Sequence, residues 1–138
     1  MRRLVSPLLL MLFCAILAAG CARVQSRARV NDLEQRIQAY AAAIRWGYYD
    51  TALHFIHRRQ GDATRPDKQR LKDIRVTDYN FTDKVLSDDG HAARVVVAFH
   101  YYHVDSGVIR SHLDIQSWWY DEEAGSWMLD GDIPDFPN

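Results

Sequence analysis

Residues 100–112 read HYYHVDSGVIRSH, and this stretch concentrates side chains that could do chemistry. It holds three histidines and two tyrosines around Asp105-Ser106-Gly107. Imidazole rings bind zinc and transfer protons near neutral pH, and a tyrosine hydroxyl can donate a proton in acid–base catalysis. Three interpretations follow: a metal site, a catalytic site, or two neighbouring strands decorated with these residues. The faces of the strands decide between them.

The elements that position these residues are predicted by periodicity. From Ile74 onward, β-branched and aromatic residues alternate with polar ones, and turn sequences interrupt them. This pattern predicts four strands, over residues 74–86, 92–104, 108–120 and 126–133, in an antiparallel meander. Upstream, apolar residues at helical spacing predict helices over residues 31–46 and 49–58. The predicted fold class is α+β, with two N-terminal helices packed on one face of a curved four-stranded antiparallel sheet.

The register of the second and third strands determines what lies together. A three-residue turn at residues 105–107 places Phe99 opposite Leu113 and Val97 opposite Ile115, so that apolar side chains share rungs. Gly107 then falls where such a turn needs a left-handed residue. A two-residue turn at residues 106–107 would mix apolar and polar side chains on every rung. We therefore predict the three-residue turn.

In this register, His100 lies opposite His112 on the face away from the helices, with Asp114 on a neighbouring rung. Histidines opposite one another are close enough to share a zinc ion. An open sheet face offers few groups to orient such ligands. We therefore expect these three residues to be at most a weak metal site, and we predict no cofactor.

The same face would carry Tyr102, Arg110, Trp118 and Tyr120. Aromatic residues and arginine are enriched at protein interfaces. These four residues therefore predict an interface, either with a second copy of the chain or with another envelope protein. They favour a non-catalytic binding module over an enzyme.

The N-terminal residues predict the cellular location of the protein. Met1-Arg2-Arg3 precedes an apolar stretch that ends at Ala19, shorter than the roughly 20 residues of a membrane span, so it is typical of a secretory signal. The following Leu17-Ala18-Ala19-Gly20-Cys21 resembles the lipobox of bacterial lipoproteins. The resemblance implies cleavage before Cys21, lipidation of that residue and anchoring in the bilayer. Ala22 then favours the outer membrane, with the domain facing the periplasm.

The alternative is an ordinary secreted protein that is cleaved nearby. With cleavage before Cys21, residues 1–20 are the signal peptide, residues 21–30 are the lipidated cysteine and its tether, and residues 31–138 form a single α+β domain. Cys14 leaves with the signal, so no intrachain disulfide is expected.

Composition argues against a nucleic-acid partner. The chain has 17 Lys and Arg against 18 Asp and Glu. Loss of Arg2 and Arg3 with the signal makes the mature chain more acidic still. A nucleic-acid-binding domain is usually strongly basic.

Two further stretches resemble the nuclear transport factor two-like (cystatin-like cone) domains. Residues 45–52, RWGYYDTA, are similar to their helix–glycine–aromatic junction, and residues 119–127, WYDEEAGSW, are similar to their last hairpin. Some such domains are isomerases or cyclases with an aspartate base and a tyrosine donor inside the cone. The resemblance therefore implies an alternative function, a small-ligand enzyme that uses Tyr101 and His103, with Asp105 at the rim. In the predicted register, no carboxylate lies on the face under the helices.

Overall fold

One long helix and a four-stranded antiparallel sheet build the fold. The computed structural model describes the backbone of residues 7–137 and the side chains of residues 23–137. The elements are α1 (Pro7–Arg45), α2 (Tyr49–Leu53), α3 (Lys68–Leu71), β1 (Ile74–Leu86), β2 (Ala92–His103), β3 (Arg110–Asp121) and β4 (Ser126–Asp130). The strands follow one another in the order β1-β2-β3-β4. The predicted α+β class and the antiparallel meander are therefore confirmed.

Helix α1 is longer than predicted. Residues 22–30 contain neither Gly nor Pro, so nothing in the sequence interrupts the backbone hydrogen bonds, and the helix includes this stretch upstream of the predicted start at residue 31. Residues 23–28 are exposed, and packing on the sheet begins at Arg29, whose carbonyl accepts a 2.8 Å hydrogen bond from Trp127 Nε1. The Cys21 side chain lies outside the described residues. Within the described part of the chain, no helix is long and apolar enough to cross a membrane.

The C-terminal half of α1 supplies one side of the core. The predicted apolar stripe faces the sheet and is buried: Leu33, Ile37, Tyr40, Ala41 and Ile44. Alternate residues of β2 meet it from the sheet: Val95, Val97, Phe99 and Tyr101. Each large apolar side chain buried in this way contributes about 1.5–3 kcal/mol to the free energy of unfolding. We call this covered side of the sheet the inner face, and the opposite side the outer face.

Helix α2 ends at Leu53 rather than at residue 58. Beyond it, the backbone pairs with β4 through a parallel bridge between Ile56 and Leu129. Leu129 donates its N–H to the carbonyl of Phe55 at 2.8 Å, and its own carbonyl accepts the N–H of His57 at 2.9 Å. This long-range pairing replaces the last predicted helical turn.

The predicted register of β2 and β3 is wrong by one residue. Val97 pairs with Asp114, Ala98 with Leu113, and Phe99 with His112. The connection is a loop over residues 104–109, in which the His103 carbonyl accepts the N–H groups of Ser106 and Gly107.

The shift turns every side chain of β3 to the other face. Even-numbered residues of β3 lie on the inner face, where Trp118 is 1% exposed, and Leu113 and Ile115 lie outside. A buried tryptophan removes more apolar area from water than a leucine does. The free energy gained by burying Trp118 beside Trp127 and Leu129 of β4 therefore exceeds the gain expected from pairing the apolar side chains of β2 and β3 with each other.

The chain after β4, residues 131–137, crosses the inner face, and we call it the C-terminal segment. Its Phe136 is 1% exposed, and its ring lies 4.9 Å from that of Tyr101 and 5.7 Å from that of His112, centroid to centroid. Arg70 holds the segment from outside, with its Nη1 2.9 Å from Asp135 Oδ1 and its Nη2 donating to the Phe136 carbonyl. The open end of the inner face is thus closed by the chain itself.

A disulfide between Ala98→Cys and Leu113→Cys tests the register. These positions are paired on the outer face, at a Cα separation of about 4.5–5.5 Å for opposite residues, which a disulfide can span. With Cys14 and Cys21 replaced by alanine, we expect the double variant to oxidise to an intramolecular disulfide, measured by mass spectrometry without reductant.

The matched control is Ala98→Cys with Asp114→Cys, which are opposite one another in the register predicted from sequence. In the structure these side chains lie on different faces, so this pair should remain reduced. A disulfide in the control pair, and none in the first, would contradict the structure.

Candidate functional site

Two of the three residues predicted for catalysis, Tyr101 and His103, are held by the C-terminal segment. The Tyr101 hydroxyl donates to the carbonyl of Pro137 at 2.7 Å, and Nε2 of His103 lies 3.1 Å from the same oxygen. Tyr101 is buried, whereas Asp105 is exposed in the loop that follows β2. The structure therefore brings Tyr101 and His103 together but leaves Asp105 apart from them.

The inner face carries a carboxylate that the predicted register left out. Asp114 accepts a 2.7 Å hydrogen bond from Nε2 of Gln116, and Oε1 of Gln116 accepts a 2.9 Å bond from Nε1 of Trp118. Gln116 is 2% exposed. Buried polar groups need such partners, and the chain of two bonds satisfies the Gln116 amide at both ends.

Burial dominates the electrostatics around Asp114. Desolvation raises the pKa of this carboxyl group, and the bond from Gln116 and the nearby His112 ring lower it in part. On the facing helix, burial raises the pKa of Tyr40 well above its ordinary value, and the carboxylates of Asp114 and Asp132 raise it further. The Tyr40 hydroxyl itself donates to the backbone carbonyl of Asp132, in the C-terminal segment, at 3.4 Å.

The observed register separates the three residues that were predicted as a weak metal site. His100 lies on the outer face, where its Nε2 is 3.2 Å from Oδ1 of Asn80, whereas His112 and Asp114 lie on the inner face. Among the residues whose side chains are described, no group of three or more His, Cys, Asp and Glu is arranged to hold a metal ion.

The four predicted interface residues also fall on different sides. Tyr102 is on the outer face and half-buried. Trp118 is in the core, and Tyr120 packs inside against Trp127 with ring centroids 5.6 Å apart. Arg110 is exposed and is the first residue of β3, paired with Tyr101, at the end of the inner face. They do not form one surface.

A different surface occupies the outer face. Leu113 is 60% exposed and Ile115 is 61% exposed, and they pair with Ala98 and Val96 of β2. We call these four residues the outer patch. Val96 and Ala98 are themselves buried, so the exposed area comes from Leu113 and Ile115, and adjacent exposed apolar side chains can mark interaction sites. The sequence does contain a signal for this patch. If the large Trp118 side chain is buried on the inner face, strand alternation places Leu113 and Ile115 on the outer face.

Comparison of the chain with protein-family models, with curated protein sequences and with solved structures gives no match. The resemblance to cone domains and to bacterial lipoproteins therefore stays a prediction from sequence.

Replacement of Asp114 tests the burial of its carboxyl group. Because the pKa of Asp114 is raised in the folded protein, the folded state binds more protons than the unfolded state between the ordinary aspartate value of about 3.9 and the folded value. The free energy of unfolding of the native chain should therefore fall, relative to Asp114→Asn, as pH rises through this window. Above the folded pKa the difference should stay constant. Urea unfolding of both proteins from acid to neutral pH measures it.

The matched control for the loss of a carboxylate is Asp105→Asn, at an exposed position. A difference between native and Asp114→Asn that is the same at all pH values, or that changes in the opposite direction, would contradict the burial of Asp114.

Proposed function

We propose that this chain is a lipid-anchored protein of the bacterial cell envelope with a non-catalytic accessory domain that associates through its outer patch. The exposure of Leu113 and Ile115 on the outer face carries the proposal. The lipid anchor is Cys21, and the domain faces the periplasm from the outer membrane. Support for the non-catalytic role comes from the inner face, where Tyr101 and Asp114 are occupied by partners within the chain.

The outer patch has the character of a protein contact. Its β2 members Val96 and Ala98 are buried, and the exposed side chains of Leu113 and Ile115 lie beside these apolar residues. If a partner covered the two exposed side chains, each would contribute about 25 cal/mol per Å² of apolar area removed from water. The two branched aliphatic side chains would therefore supply most of the binding free energy of such a contact.

A second copy of the chain is the partner that the charges favour. Beside the patch, Arg94 Nη1 lies 3.1 Å from Asp83 Oδ2, so this pair is neutral. The outer-face carboxylates Asp78 and Asp130 lie at the margins of the patch, opposite His100 and Ser117. Ser111 and Ser117, which flank the patch on β3, are uncharged. Two copies can therefore face each other without like-charge repulsion at the centre, and sheets that pack face to face lie about 10 Å apart.

Membrane anchoring limits how two copies can be arranged. Helix α1 enters the domain at Arg29, beside the Trp127 end of β4, so the anchor lies beyond this end of the sheet. A two-fold axis along the strands keeps both anchors at the same end, where one bilayer can hold them. Edge-to-edge antiparallel pairing of two copies through β1, which is at an edge of the sheet, would send the two anchors in opposite directions. We therefore propose face-to-face packing of the two outer patches.

The lipid anchor is tested by labelling with a radioactive or clickable fatty acid in a bacterial host. The native chain should incorporate the label, and Cys21→Ala should lose it because the thiol that forms the thioether is gone. Cys14→Ala is the matched control and should incorporate label like the native chain. Label that persists in Cys21→Ala would refute the anchor.

The outer patch is tested by self-cross-linking at Ile115. With Cys14 and Cys21 replaced by alanine, Ile115→Cys should form an intermolecular disulfide, because a residue near a two-fold axis meets its own copy. Gln35→Cys, exposed on α1, is the control that should not do so. In light scattering, the soluble domain should have twice the mass of one chain, and Ile115→Asp should shift it to the monomer. A strict monomer without the substitution would rule out this partner.

A further inference from the structure

A groove opens where the C-terminal end of α1 meets the start of β1, at the end of the domain opposite to Arg29. Its volume is about 580 Å³. Small-molecule sites usually measure roughly 300–1,000 Å³. The lining includes apolar side chains, of which Leu71 and Ile74 are buried and Val76 is half-buried.

Cationic side chains surround these apolar residues. Arg45, Lys68, Lys72 and Arg75 line the groove, against the single carboxylate of Asp50. Lys68 Nζ lies 2.8 Å from Asp50 Oδ1, so this pair is neutral and three cations remain uncompensated by lining residues. The whole chain has a net charge of −1, so the positive groove is a local arrangement and does not follow from composition.

Part of this arrangement is built into the backbone. Arg75 Nη1 donates to the carbonyls of Lys72 and Ile74 at 2.6 and 2.9 Å, which fixes its guanidinium beside the groove. The Nζ of Lys72 has only a 3.4 Å contact with Gln69 Oε1. A long lysine side chain with such a weak contact can turn to meet a bound anion.

Two aromatic rings complete the lining. Trp46 is 65% exposed, and the Arg45 guanidinium carbon lies 5.3 Å from its ring centroid. Gly47, with a positive φ of 71°, turns the chain directly after Trp46, and Tyr49 follows as a half-buried ring. A large ring left in water is a ready surface for the body of a ligand.

We propose that this groove binds a small organic anion, a carboxylate or phosphate group carried on an apolar or aromatic body. Lys72 and Arg45 would hold the charged group, and Trp46 and Tyr49 would contact the body. Binding requires neither the lipid anchor nor the second copy. If Cys21 is the anchor, a helical rise of 1.5 Å per residue puts Arg45 about 36 Å along α1 from it. The ligand is then a soluble anion and not a headgroup of the anchoring membrane.

The test uses 8-anilino-1-naphthalenesulfonate, an aromatic anion whose fluorescence rises on binding, titrated into the purified full chain. We expect one saturable site per chain, weakened about tenfold or more by Lys72→Glu, the size expected for loss of a hydrogen bond to a charged group. Arg27→Glu makes the same change of charge at an exposed position on α1 and should leave the affinity unchanged. Trp46→Ala should also weaken the binding.

Three further measurements separate binding in the groove from non-specific adsorption of the dye and from binding at the outer patch. Neutral N-phenyl-1-naphthylamine should bind at least tenfold more weakly, and inorganic phosphate should compete only weakly because it lacks the apolar body. Ile115→Ser should keep the site, because the outer patch is a separate surface. Equal binding of the neutral probe, equally tight phosphate, unchanged affinity in Lys72→Glu, loss of the site in Ile115→Ser, or no saturable binding would each overturn the proposal. A monomeric chain would leave it intact.

Discussion

The pairing of β2 with β3 is the constraint on which the rest of the structure depends. A strand places alternate residues on opposite faces, so one register decides every neighbour on both faces at once. The observed register puts Trp118 and Gln116 under α1 and leaves Leu113 and Ile115 outside. The polar bonding of the inner face and the apolar character of the outer face are therefore consequences of a single choice.

On the inner face, that choice buries polar groups that the chain must then satisfy. Gln116 bonds both Asp114 and Trp118, and the hydroxyl of Tyr101 bonds the C-terminal segment. These hydrogen bonds give the polar groups of the inner face partners within the fold. Phe136 closes the remaining space by packing against the ring of Tyr101.

Two other surfaces of the domain lie outside this inner-face bonding. The outer patch is apolar and uncharged, on the far side of the sheet from α1. The groove between α1 and β1 is cationic around an apolar and aromatic lining. Because they occupy different faces, association through one does not obstruct the other. The continuous helix α1 sets the direction of both relative to Cys21.

The sequence by itself determined the local structure: the apolar stripe of α1, the order of the four strands and most of their extent, because helical and strand periodicities are carried by neighbouring residues. The fourth strand, predicted to reach residue 133, ends at Asp130. The resemblance of residues 17–21 to a lipobox also comes from the sequence alone, and the anchor stays a prediction. Only the tertiary structure decided the register, the end of α2 and the path of the C-terminal segment. Each depends on residues distant in sequence: Trp118 competes with Leu113 and Ile115 for the inner face, and Ile56 pairs with Leu129. Alternation of apolar and polar residues along a strand shows that the strand has two faces. Which face is inside depends on the total apolar area that all the elements bury together.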